Sequence, residues 1–214
     1  MTETTMNVDE AAALRDLARG LDRARMAQIG GFHFALVMGA LTLWGAAETW
    51  AQVSGWALAE FVAVANALVA GVVIVSTIHE WGHFAGARLS GSVSPVLEEP
   101  RQYFFMFDFQ IDQNDTRQFA WMSWGGILTP WVAVVLAAML VPLSTLSGAV
   151  LFATLFSKAV AVAIFEVPVV QRTAVSGNPG AELGKRAGEG GLPKSRKLGN
   201  YAGLACFALL LLIF

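Results

Sequence analysis

His79, Glu80 and His83 stand in the order H-E-x-x-H. Residues four apart share one face of a helix, so both imidazoles can reach a single metal ion while Glu80, one position on, holds a water beside it. The chemistry this spacing suits is hydrolysis by a metal-activated water, with the glutamate as proton acceptor. A tetrahedral zinc held by two histidines is incomplete, so a third protein ligand is expected from another part of the chain. The bland alternative is a packed helix whose histidines simply hydrogen-bond their neighbours. His33, the remaining histidine of the chain's three, lies near the start of an apolar run and reads as an interface residue rather than a ligand.

The elements that must position these residues are apolar. The chain is 56% hydrophobic and 14% charged, with a mean hydropathy of +0.57, and its apolar residues come in runs long enough to cross a bilayer. Five spans are read, at about Ile29 to Ala47, Ala57 to Ala87, Phe119 to Val141, Ala149 to Val170 and Leu198 to Phe214. The expected fold is therefore an all-α polytopic membrane protein. Thirteen of the fourteen Lys and Arg residues fall before the first span, between spans two and three, or between spans four and five, and Lys158 alone lies within a span. Basic residues collect on the inner side, which predicts a cytoplasmic N-terminus. Residues 1–28 form a cytoplasmic segment in which Val8 to Met26 reads either as an amphipathic surface helix or as a solvated tail. Residues 29–214 form the membrane domain. Met1 to Gly30 contains no short apolar stretch with a small-residue cleavage site, so it is not read as a cleaved signal peptide.

A net charge of −2, with the basic residues assigned to loops, argues against nucleic acid as a partner and leaves the lipid bilayer as the main one. Cys206 is the single cysteine, which rules out a disulfide framework and a cysteine-based zinc site.

Depth selects among the acids for the third ligand. His79 lies nine residues before Arg88, roughly 13 Å inside the boundary if Arg88 marks it. Glu166 lies six residues before Arg172 in a span of the same direction, or about 9 Å inside by the same rise. An acid in the otherwise apolar stretch Ala163 to Val169 defaults to a functional role, and Pro168 is expected to loosen the helix around it. The competitor is Glu182, in the segment Gly177 to Gly191, whose six glycines read as a mobile linker.

The run His79-Glu80-Trp81-Gly82-His83-Phe84-Ala85-Gly86-Ala87-Arg88 resembles the signature helix of the site-2 protease family of intramembrane zinc metalloproteases. Ser123 to Thr129 is similar to the small-residue G-P-x-x-N segment of that family's middle span, with Gly126 at the Pro position and Thr129 at the Asn position. The resemblance implies a three-helix metalloprotease core, here about residues 57–172, one zinc ion, and cleavage of membrane-embedded peptides. The family's aspartate ligand has no counterpart, because no aspartate follows residue 115. With Glu166 in its place, the family's Asn position falls on Lys158, as an oxyanion donor or as a counter-ion.

Between spans two and three, the sequence from Phe107 to Asp112 alternates apolar with polar, the period of a half-buried strand. It reads either as part of a short membrane-associated β-hairpin offering an edge to an extended substrate, or as an aromatic loop at the lipid interface. The expected function is an intramembrane zinc endopeptidase acting on a transmembrane protein or peptide, in a prokaryotic inner membrane. The alternative, motivated by the missing aspartate, is an inactive relative that binds membrane helices or metal as an adaptor or regulator. A zinc-dependent enzyme that processes a modified C-terminus would share the chemistry and differ only in substrate.

Overall fold

The computed structural model describes residues 8–101 and 105–214. Six helices and one small sheet follow in the order α1 (Val8–Ser54), α2 (Ala57–Leu89), β1 (Val96–Arg101), β2 (Phe105–Phe107), α3 (Thr116–Leu140), α4 (Leu146–Ser176), α5 (Pro179–Gly188) and α6 (Gly191–Ile213). Among the described residues α1, α2, α3, α4 and α6 are long and apolar enough to cross a membrane. Large side chains such as Leu43, Phe61, Leu136 and Leu212 point outward, as lipid-facing positions would. The molecule is an all-α polytopic fold.

Local chemistry sets the breaks between helices. Gly55, at φ +65°, turns the chain between α1 and α2 in two residues. Asp115 starts α3 with a capping box: it accepts from the Gln118 amide at 2.7 Å and its own amide donates to the Gln118 side chain at 2.9 Å. Thr145 accepts from Gly148 to start α4, and Gly177 ends it in the left-handed conformation.

Small residues let the bundle close. α2 is central and packs on α1, α3 and α4. A Cβ on Gly82 would overlap the Gly125 carbonyl and the Thr129 hydroxyl, and one on Gly125 would overlap the Gly82 carbonyl, so α2 and α3 touch backbone to backbone beside the histidines. α6 turns Gly191, Ser195, Gly199 and Gly203 inward at intervals of four, and Gly199 and Gly203 meet Ser157 and Ala161 of α4. The core between these contacts is Ala67, Ala70, Val75, Val134, Leu151 and Leu155.

Four sequence expectations change. The N-terminal segment is no separate surface helix: α1 runs unbroken past residue 28, because nothing between Arg25 and Phe32 breaks a helix and Gly30-Gly31 is tolerated inside one. Asp22 ties this end of α1 down, accepting from Arg88 through both carboxylate oxygens at 2.8 Å and from the Val96 amide at 3.0 Å. The strand lies earlier than the alternation suggests, with Val96 paired to Phe107 and Arg101 to Phe105. Past Phe107 the regular strand ends, although the Asp108 and Gln110 amides still donate to Pro95 and Val93; the facing segment turns away at Gly91. The expected linker from Gly177 to Gly191 forms α5, since Asn178 caps it through the Ala181 amide at 3.0 Å and Pro179 suits the first helical position. His33, finally, is 1% exposed rather than interfacial, and accepts from the Trp81 indole at 3.1 Å.

Candidate metal centre

α2 carries His79 and His83 one turn apart with ring centroids 4.4 Å from each other. What fixes the rings is the backbone of α3. His79 Nδ1 donates to the Gly126 carbonyl at 2.9 Å, and His83 Nδ1 donates to the Met122 carbonyl at 3.0 Å. A carbonyl only accepts, so both Nδ1 atoms carry their protons, and each ring in its neutral form presents the Nε2 lone pair that a metal needs. No backbone amide competes for the Gly126 carbonyl, because the residue four positions on is Pro130, and the Thr129 hydroxyl approaches it only at 3.5 Å. Gly126 has a second role, since a Cβ there would fall within the His83 imidazole.

α4 supplies the third group. Glu166 Oε1 lies 3.3 Å from His79 Nε2 and 3.3 Å from His83 Nε2, while the two Nε2 atoms are 3.2 Å apart. These three atoms form a nearly equilateral triangle. A tetrahedral ion with bonds of about 2.0–2.1 Å sets its ligand atoms about 3.3–3.4 Å apart. Three lone pairs facing one point repel unless a cation sits among them, so both spacing and donor set fit a metal ion.

Pro168 leaves its mark on α4 in the same way that Pro130 does on α3. It removes the amide that would bond the Ile164 carbonyl, and Arg186 of α5 donates to that carbonyl at 2.8 Å. The Arg186 guanidinium also lies 6.0 Å from the Phe165 ring. α5 is thereby pinned to the turn of α4 that presents Glu166.

Glu80 faces a cavity of about 370 Å³ walled by the triangle, Phe107, Phe109, Phe119, Phe165 and Leu183, with Asp108 and Ser123 as further polar groups. Among the described residues the buried Oε2 atoms of Glu80 and Glu166 have no hydrogen-bond partner. A buried carboxylate oxygen without a donor beside a triangle that could hold a metal ion is equipped to accept a proton.

Other sequence-selected residues stand outside the triangle. Glu182 lies on α5, and among the described residues Glu166 is the acid that joins the histidines. Lys158 is half-buried on α4, beside a cavity that also reaches His79 and Glu166, and forms no ion pair with the carboxylate, whose ion pairs are to the histidines. Thr129 bonds the Gly125 carbonyl of its own helix at 3.1 Å. Pro130 and Arg186 carry positioning roles that the H-E-x-x-H pattern does not reveal; the available signal was a proline inside an apolar span, which always frees a carbonyl one turn earlier.

Comparison with family models, curated proteins and solved structures finds no match to this chain. The chemistry of the site therefore rests on its own geometry.

Proposed function

We propose that the protein is an intramembrane zinc endopeptidase, a divergent relative of the site-2 proteases with glutamate in place of the family's aspartate. The observation that carries this reading is the triangle of His79 Nε2, His83 Nε2 and Glu166 Oε1 at 3.2–3.3 Å, beside the unpartnered Glu80 carboxylate. Two imidazoles and a carboxylate in tetrahedral spacing suit zinc among the divalent metals. Bound there, zinc would supply Lewis-acid activation of a water and of a substrate carbonyl. Glu80 would take the water's proton and deliver it to the departing amine. The largely aromatic cavity would keep bulk water from the reacting groups, and an extended substrate laid along Phe107 to Phe109 would pass the triangle in the unwound form that cleavage requires. The clustering of basic residues supports a cytoplasmic N-terminus, and a prokaryotic inner membrane is the proposed location.

The deciding experiment is elemental analysis of detergent-purified protein for the wild type, Glu166→Ala and Glu182→Ala. One zinc per chain, lost with Glu166→Ala and kept with Glu182→Ala, is the expected result. A folded, metal-replete wild type without zinc would favour the adaptor reading instead.

A further inference from the structure

His79 and Glu166 border a second cavity, of about 280 Å³, between α4 and α6. Its polar equipment is opposite in sign to that of the first. The Glu80 cavity is lined by three carboxylates, Glu80, Asp108 and Glu166, and by no Lys or Arg among the described residues. The second cavity is lined by Lys158, Arg196, Ser195 and Asn200. Neither Lys158 nor Arg196 forms an ion pair or hydrogen bond among the described residues. The one acid in the same cavity, Glu166, is engaged at 3.3 Å with both histidines. Ser157 donates to Asn200 Oδ1 at 3.4 Å, which leaves the Asn200 NH2 group as a donor.

A half-buried cation, Lys158, with the exposed Arg196 and Asn200 at the cavity's edge, suits an anion beside the ligand triangle. Lys158 sits twelve residues into α4, about 18 Å from that end of the helix and deep in the apolar layer. A charge at such depth is retained for a ligand or a pathway. Phospholipid phosphates lie at the interface, whereas the carboxylate ending an apolar peptide is carried inward by its chain, at a desolvation cost that pairing with Lys158 offsets. Lys158 and Glu166 are eight residues apart on α4, about 12 Å along the axis, which roughly three extended residues span.

We propose that the α4–α6 cavity binds the terminal α-carboxylate of an apolar peptide whose scissile bond lies at the ligand triangle. The preferred bond is then within a few residues of the peptide's C-terminus. Hydrolysis there breaks the C–N bond, places the water's oxygen on the carbonyl carbon, and passes its proton through Glu80 to the amine of the short departing fragment. This assignment rests on the reading of the triangle as a peptidase centre.

The test measures equilibrium binding of acetyl-Leu-Leu-Leu as the free acid and as the C-terminal amide, to detergent-purified full-length Glu80→Gln with its zinc content assayed in parallel. The free acid should bind about 10-fold more tightly, the effect of a charge-assisted hydrogen bond. Lys158→Met with Arg196→Gln should bring the two ligands to parity at unchanged zinc content, and Lys158→Arg should restore the preference. Equal binding of acid and amide overturns the proposal, as does a preference that survives the double substitution. Displacement of the acid by phosphatidylglycerol, with lipid binding lost in the same variants, also overturns it by making a lipid phosphate the occupant. Acid preference in a protein that takes up no zinc would sink the metal reading while sustaining the anion site.

Discussion

Glu80 and Gly126 serve the centre in different ways. Glu80 has a buried oxygen without a donor and is one residue from a ligand, so Glu80→Gln should retain one zinc while peptide cleavage falls by roughly 10²–10⁴, the usual contribution of a positioned base. Turnover assays beside metal analysis check this, and retained cleavage would remove Glu80 from the mechanism. Gly126→Ala puts a methyl where the His83 ring stands. The expected outcome is weaker zinc binding and a loss of about 1–3 kcal/mol of stability from overpacking, read by metal titration and thermal melting; wild-type zinc affinity would show that the ring has room to move. H-E-x-x-H was legible because both histidines and the base lie within one helical turn. The role of Gly126 was not, since it depends on how closely α3 approaches α2.

The two helices that pack on α2 at the site, α3 and α4, each contain a proline that frees a carbonyl used nearby. Pro130 frees the Gly126 carbonyl for His79, and Pro168 frees the Ile164 carbonyl for Arg186. Pro130→Ala should restore the amide that competes for Gly126. The α3 helix is then expected to be no less stable, while zinc affinity falls about 10-fold, the size of a lost outer-shell contact. Competition against a chelator of known affinity, with circular dichroism alongside, measures both. A parallel fall in helicity would mean that the proline acts through the fold instead. Arg186→Met removes the donor from the Ile164 carbonyl, so amide exchange should quicken around residues 164–168 and at α5, while exchange in α1 is unchanged. Unaltered exchange would show that α5 is held by other contacts. The sequence shows the prolines but not what takes their carbonyls, and it reads α5 as a linker because its glycines outweigh the Asn178-Pro179 start signal.

A metal in the triangle would join α2 to α4, and α3 is already tied in through the two carbonyls that orient the histidines. Metal bound only in the folded state stabilises it by about 2.7 kcal/mol at a hundredfold excess over Kd. Chelation should therefore lower Tm by roughly 5–10 °C for a chain of this size. Zinc should restore it in the wild type but not in His79→Ala. Equal melting with and without chelator would indicate that the bundle closes independently of the metal. The small-residue contacts of α2 with α3 and α4 with α6 already bring the backbones together, so chelation should loosen the bundle rather than unfold it.

Local regularities were legible in the chain alone. The apolar runs set the five long helices, and the i, i+4 spacing set the two histidines and the base, because both depend on residues close in sequence. Depth along the spans singled out Glu166 over Glu182, since distance from a basic boundary follows from the rise of a helix. Only the tertiary structure decided that Glu166 Oε1 meets both Nε2 atoms at 3.3 Å, that α3 carbonyls orient the rings, and that residues 179–188 form a helix gripping α4. Those contacts join residues separated by 22 to 87 positions. They depend on how far glycines let two backbones approach, and no periodicity within one segment encodes that distance.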